Sequence, residues 1–196
     1  MKNIKKYLLV ILLMTSAVGF FGSLIDNGFS SLLYFTNQSN FLVFLVVLGM
    51  LTKKPIKHLE IVGFVVFMNI LMTGIIFNTL LKGFEATMSP IHLFYSYLNH
   101  TVNPILYTIV FLAYMRLDLT YKKFYVLLVY PLVYFMAYMV TGPFTKFYPY
   151  PFMNPIELGL KTFLITNVLV LLPILVLFSL FLIHISKTLH QKIDKP

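Results

Sequence analysis

Two groups of polar side chains interrupt a chain of 196 residues that is 59% hydrophobic and 11% charged. The first is the run Tyr34-Phe35-Thr36-Asn37-Gln38-Ser39-Asn40. At 100° per residue, Thr36, Ser39 and Asn40 share one face of a helix. The second group is His92, Ser96, His100, Asn103 and Tyr107, spaced as one polar stripe along an otherwise apolar helix. Pro104 lies beside the stripe and lacks the N–H that would bond the carbonyl one turn earlier, at His100. A hydroxyl from the first group and an imidazole from the second are the parts of an activated nucleophile: the imidazole takes the proton and the alkoxide attacks a carbonyl. A plainer reading stands beside this one. The first cluster also suits a helix start that bonds its neighbours, and a histidine between helices also serves as a neutral hydrogen-bonding group.

Other chemistries fit less well. All six acids, Asp26, Glu60, Glu85, Asp118, Glu157 and Asp194, fall in loops or at helix ends. A proton relay or a cation-coupled transporter needs a carboxylate deep in a helix. A metal on His92, Ser96 and His100 would lack a strong third ligand, so no metal and no cofactor is expected. The chain has no cysteine, which excludes disulfides and thiolate sites. His58, His184 and His190 lie at segment edges and read as solvated; Asn69, Thr73, Thr166 and Asn167 read as interhelical hydrogen-bonding residues.

The elements that must position these residues are membrane helices. With 11% charge a water-facing surface cannot be built, since a soluble domain carries roughly 25%. Six apolar stretches approach the ~20 residues needed to cross a bilayer, at roughly 7–25, 32–51, 61–81, 93–115, 124–140 and 160–184. They are continuously apolar, whereas barrel strands alternate. The expected fold is therefore all-α, a single six-helix transmembrane domain over residues 1–196. The start of the chain imitates a secretory signal, with Lys2, Lys5 and Lys6 before an apolar run and Ser16-Ala17 as a possible cleavage point. The apolar run continues to Ile25, so an uncleaved first helix is expected.

Charge sets the orientation. The net charge is +9, but the basic residues stand between apolar segments, where they orient helices and meet anionic headgroups; nucleic acid is not an expected partner. Lys2, Lys5, Lys6, Lys53, Lys54, Lys57, Arg116, Lys122, Lys123, Lys187, Lys192 and Lys195 fall on one side, and only Lys82, Lys146 and Lys161 on the other. The richer side is cytoplasmic, so both ends face inward and the protein is a multi-pass protein of the cell membrane. Helices two and four then both run inward. At ~1.5 Å per residue, Thr36 lies roughly 6 Å below an entry near Leu32 and His100 roughly 10 Å below one near Leu93, in the same outer leaflet. The longest external loop, around Tyr148-Pro149-Tyr150-Pro151-Phe152-Met153-Asn154-Pro155, is expected to be extended because of its prolines. It reads either as an interfacial anchor or as a lid over a site.

Three motifs in this order, Tyr34-Phe-Thr-Asn-Gln-Ser-Asn40, Asn99-His-Thr-Val-Asn-Pro104 and Tyr148-Pro-Tyr-Pro-Phe152, resemble those of bacterial six-helix membrane proteins related to the animal androgen-induced gene and androgen-dependent TFPI-regulating proteins. The resemblance spans nearly the whole chain. It implies a transmembrane threonine hydrolase that cleaves fatty acid esters of hydroxy fatty acids, with the nucleophile on Thr36 and the histidine on His100. The tract after Thr36 is more polar than in the animal proteins, and Asn154 stands where an aspartate is expected.

The expected function is hydrolysis of a carboxylic ester of a membrane lipid, with Thr36 and His100 catalytic. Asn103, Tyr107 or a backbone carbonyl would orient the histidine; Asn37, Asn40 and the amides opening helix two are candidate oxyanion donors, and Ser96 is a candidate substrate contact. The alternatives are a non-catalytic protein that binds or moves a lipid-like ligand in the same pocket, and a structural subunit whose polar residues only join helices. Protein partners are not legible. The charge pattern generates a test of topology. Single cysteines introduced near positions 54, 122 and 192 should resist a membrane-impermeant thiol reagent on intact cells, while those near 85 and 148 should react. Labelling at 54 or 122 in sealed cells would overturn the arrangement.

Overall fold

The computed structural model describes residues 2–52, 57–81, 83, 86, 88–115 and 119–193. Lys53, Lys54, Lys82, Glu85, Arg116, Asp118, Asp194 and Lys195, which enter the charge count above, lie outside the described residues. The described chain is all-α. It divides into two compact units, Met1–Leu117 and Asp118–Pro196.

The first unit opens with α1 (Lys2–Asn27), a six-residue 3₁₀ segment (Gly28–Leu33) and α2 (Phe35–Leu51). Then come α3 (Leu59–Leu80), α4 (Pro90–Tyr97), a π-helical turn (Leu98–Val102) and α5 (Asn103–Tyr114). The expected second helix, from residue 32, is corrected. Residues 28–33 form the 3₁₀ segment, Tyr34 is extended at φ −90°, ψ 133°, and α2 begins at Phe35. Thr36 therefore sits in the first turn of α2, nearer its entry than residue counting implies.

The stretch α4–π–α5 is continuous and forms the axis of this unit. Its inward face is polar: Ser96, Asn99, Asn103 and Tyr107 are all buried. Its outward face, Leu93, Phe94, Tyr97, Ile105 and Ile109, is apolar and exposed. That inversion of the water-soluble pattern suits a lipid surround.

Two seams of glycine let the neighbouring helices close on this axis. Along α1, a Cβ on Gly19 would fall 2.1 Å from Asn99 Oδ1, and one on Gly22 would fall 2.3 Å from the Tyr95 ring. One turn above, Asp26 pairs with His92 at 2.7 Å. Along α3, a Cβ on Gly63 would meet the Met115 methyl, and one on Gly74 would lie 3.1 Å from Pro104 Cβ. A stacked core of Phe64, Phe67 and Phe111 fills the space between α3 and α5, with Phe67 and Phe111 centroids 4.2 Å apart.

The second unit contains α6 (Tyr125–Thr145), the short α7 (Pro155–Leu158) and α8 (Leu160–Leu164), a π-helical run (Ile165–Leu171) and α9 (Leu172–Ile193). Helix α6 passes through Pro131 and Pro143 and ends five residues beyond the expected 140, so Thr141-Gly142-Pro143 is helical rather than loop. In an apolar surround, leaving the helix early would strand several backbone groups, which costs more than tolerating the proline. The expected extended loop is also corrected in part. Pro151 opens a 3₁₀ turn (Pro151–Met153) and Pro155 opens α7, each in the first turn, where the missing N–H would be orphaned in any case. The loop is fastened to its own unit: Asn167 Nδ2 donates to Phe152 O at 2.7 Å, and the Tyr148 ring packs on Gly142.

Among the described residues four helices are long and apolar enough to cross a membrane: 3–33, 59–80, 121–145 and 160–188. They match the first, third, fifth and sixth expected spans. The second, α2, is 17 residues long, and the fourth, α4–π–α5, loses apolar character to His92, Asn99, His100 and Asn103. The two elements that carry the polar clusters are thus the two that fall short. Large apolar side chains exposed on the surface, such as Ile25, Phe29 and Phe144, suit a multi-pass membrane protein.

The glycine seams predict an asymmetry. Gly19→Ala collides with the Asn99 amide, whose nitrogen shares its two hydrogens among three acceptors, so it should lower thermal stability by about 1–3 kcal/mol. Gly63→Ala meets chiefly the far end of the flexible Met115 side chain, with the Tyr107 hydroxyl 3.4 Å away, and should cost less. Melting of the detergent-purified protein checks the order of the two.

Candidate active site

The expected pair is in direct contact. Thr36 Oγ1 lies 3.1 Å from His100 Nε2. Thr36 is buried and His100 half-buried. On the other side of the ring, His100 Nδ1 lies 3.0 Å from the Ser96 carbonyl oxygen and 3.1 Å from Ser96 Oγ. A carbonyl oxygen only accepts, so the tautomer with the proton on Nδ1 satisfies that contact and presents the Nε2 lone pair to the threonine hydroxyl. That tautomer is the one a general base requires. The orienting group is thus a backbone carbonyl of the same helix, one turn earlier. Asn103 and Tyr107, the other two candidates for that task, are engaged elsewhere.

The local backbone explains why His100 can turn toward α2. The π-turn over Leu98–Val102 has Asn103 N–H bonding Leu98 O, five residues back, and Pro104 follows directly. The extra residue in the turn changes the angular register of the stripe, so that Asn99 faces α1 while His100 faces Thr36. Such π-turns within α-helices are frequent at functional sites. The His100 carbonyl, which Pro104 cannot bond, accepts from Asn78 Nδ2 at 3.3 Å.

Four asparagines form a network beneath the pair. Asn40 Nδ2 donates to Thr36 O at 2.9 Å and Asn99 O at 3.2 Å, and Asn103 Nδ2 donates to Asn40 Oδ1 at 2.7 Å. Asn99 Nδ2 has acceptors in Gly19 O, Ser23 Oγ and Asn37 Oδ1, while Asn37 Nδ2 donates to Ser31 O at 2.9 Å. The Oδ1 of Asn99 is buried without a hydrogen-bond partner among the described residues and points into the space that a side chain at Gly19 would fill. Asn40 thereby commits both amide hydrogens to backbone carbonyls. In this arrangement it braces α2 against the π-turn and has no hydrogen to offer an oxyanion. Asn37 likewise spends one amide hydrogen on the 3₁₀ segment.

The remaining expected residues are dispersed. His92 is at the rim, where Nε2 faces Asp26 and Asn27 Oδ1 at 2.8 Å and Nδ1 faces Ser89 Oγ, so it ties α1 to α4 and stands apart from Thr36. Tyr107 is fully buried and donates to Gly63 O at 2.9 Å, joining α5 to α3. Thr73 bonds Ile70 O within its own helix, and the Asn69 amide makes no hydrogen bond among the described residues, so neither links helices by a direct bond. His184 is exposed, as expected of an edge residue, and its Nδ1 lies 2.9 Å from the Tyr121 hydroxyl. Among the described residues no group of three or more His, Cys, Asp or Glu side chains could hold a metal ion.

Sequence reasoning passed over Phe77, whose ring lies flat on the imidazole with centroids 3.7 Å apart and planes 12° apart. It also passed over Asn99 as a site residue. Asn99 is one turn before Asn103, a spacing that could have placed it on a bonded face. Phe77 carries no such signal, being one of 20 phenylalanines. No family model, no curated protein and no solved structure matches this chain.

The asparagine network predicts a separation of stability from chemistry. Asn103→Leu leaves Asn40 Oδ1 buried without its donor and should lower stability by about 1–3 kcal/mol. Asn40→Leu with Asn103→Leu should cost less than the sum of the two single changes. A double-mutant cycle on the unfolding free energy measures that coupling.

Proposed function

We propose that this chain is a hydrolase of carboxylic esters of membrane lipids, acting from within a six-span bundle with both ends in the cytoplasm. Thr36 is its nucleophile and His100 its general base. The single observation that carries the reading is the 3.1 Å approach of the Thr36 hydroxyl to a histidine nitrogen whose opposite nitrogen is held by a carbonyl. In this reading the relation to transmembrane threonine hydrolases, expected from the three motifs, is retained, and the enzyme belongs to the cell membrane.

The reaction runs in two halves. His100 Nε2 takes the hydroxyl proton as Thr36 Oγ1 adds to the ester carbonyl, and the tetrahedral oxyanion collapses with loss of the alcohol, which receives that proton. Water then gives its proton to Nε2 and attacks the Thr36 acyl ester, which releases the acid and restores the hydroxyl. The imidazolium formed in each half is stabilised by the Ser96 carbonyl at Nδ1, a neutral acceptor where an acid often stands in soluble hydrolases. With Asn40 committed elsewhere, backbone N–H groups at the start of α2 are the better oxyanion donors, aided by the helix dipole.

The test is turnover of a long-chain ester by purified protein in detergent. His100→Ala should lower the rate roughly 100- to 10,000-fold, Thr36→Ala should abolish it, and the double change should be no worse than Thr36→Ala alone. Thr36→Ser should keep part of the activity. A hydroxyl-reactive ester probe should label wild type at Thr36. Absence of both turnover and labelling, with saturable binding of a lipid-like ligand, would replace this reading with the non-catalytic one.

A further inference from the structure

One face of α3 presents Gly74, Phe77 and Asn78, spaced i, i+3 and i+4, and all three meet His100. Phe77 is buried, and its ring covers the imidazole face to face. A Cβ on Gly74 would lie 3.2 Å from His100 O, so the backbones of α3 and the π-turn approach as closely as a glycine permits. Asn78 Nδ2 bonds the same carbonyl and is itself held by a second bond, 2.8 Å to Gly74 O.

We propose that Phe77 is a positioning residue for His100, with Gly74 and Asn78 as its support. The imidazole torsion χ2 is broad and roughly two-fold, so an unconstrained ring turns over at little cost. Turning it over would carry Nε2 away from Thr36 and Nδ1 away from the Ser96 carbonyl together. Hydrogen bonds at the two ring nitrogens fix the edge of the ring but leave its plane free to tilt about the line joining them. A flat aromatic face 3.7 Å away removes that freedom and offers no donor or acceptor in the ring plane to compete for either nitrogen. The constraint falls where the helix supports itself least, since the π-turn and Pro104 both disturb the ordinary i to i−4 bonding at this point. Helix α3 supplies from outside what α4 and α5 have lost within.

The catalytic consequence rests on the reading of Thr36 and His100 as nucleophile and base; the geometric consequence does not, and the experiment separates them. Full-length protein with ¹⁵N-labelled histidine is purified in detergent, and the His100 ring signals are identified by their loss in His100→Gln. In wild type the ring protons should be shifted upfield by Phe77, and the nitrogens should report the single tautomer with the proton on Nδ1. In Phe77→Leu the upfield shift should vanish and a second tautomer or ring orientation should appear. Turnover should fall by about 10- to 100-fold in kcat with KM changed by less than about twofold. Phe77→Tyr should restore both signals and turnover. If Phe77→Leu does not fold, Phe77→Met, which keeps apolar volume without a ring face, carries the same expectations. A leucine or methionine variant that retains wild-type ring shifts and one tautomer would overturn the proposal. If wild type proves inactive, the hydrolase reading fails, and the ring signals still decide whether Phe77 holds the imidazole.

Discussion

In a low-dielectric interior an amide or imidazole without a partner costs on the order of 1–3 kcal/mol, and more where no water can reach it. The first unit places Ser96, Asn99, His100, Asn103 and Tyr107 on one helix facing its own interior, so that cost acts at every turn. The arrangement of α1, α2 and α3 follows from meeting it. Helix α1 brings Gly19 O and Ser23 Oγ to Asn99, α2 brings Asn40 to Asn103 and to Asn99 O, and α3 brings Gly63 O to Tyr107. Helices α1 and α2 both answer Asn99, α2 also answers Asn103, and α3 answers Tyr107. The polar axis thus acts as a register mark, since sliding a neighbour by one turn would break at least one of these bonds.

Close approach is the second requirement, and glycine meets it. On α1 and α3 the backbones come close to the axis at Gly19, Gly22, Gly63 and Gly74. The carbonyls that serve as acceptors, Gly19 O and Gly63 O, belong to two of these same residues. A glycine here removes the side chain that would hold the helices apart and at the same time bares the carbonyl that the partner needs.

Within this frame His100 is the exception that the rest makes possible. Asn99 and Asn103 on either side of it are held in place, and the π-turn between them lets the imidazole leave the line of the stripe and face Thr36. Its ring meets a hydroxyl at Nε2, the Ser96 carbonyl and hydroxyl at Nδ1 and an aromatic face. Neutral partners of this kind suit an apolar surround, where a carboxylate would carry a large desolvation cost.

The second unit shows the same economy with less polarity. Asn167, in the π-helical run, donates to both Phe152 O and Phe163 O and so joins the aromatic loop to α8. Stacked Tyr150 and Phe152, with Met153 buried beside them, make that loop a packed structure.

Sequence by itself determined the helical class of this protein and singled out two residues, Thr36 and His100, that lie in contact. Low charge and long apolar runs leave helices as the only economical backbone, and four of those helices are long enough to cross a membrane. Counting from expected helix starts at 32 and 93 put Thr36 and His100 at a similar level, but α2 begins at Phe35 and α4 at Pro90, so their contact rests on how α2 packs on the π-turn. Where regularity ended, so did legibility. The start of α2 at Phe35, the passage of α6 through Pro131 and Pro143, and the π-turn at Leu98–Val102 depend on which backbone groups find partners, and those partners lie on other segments. Asn40 and Asn103 were visible as polar residues, but nothing local distinguishes an amide aimed at a substrate from one bonded to a facing helix. Phe77 was invisible for a related reason. A phenylalanine in an apolar helix has no signature of its own, and only the packing of α3 on the π-turn makes this one the wall behind His100.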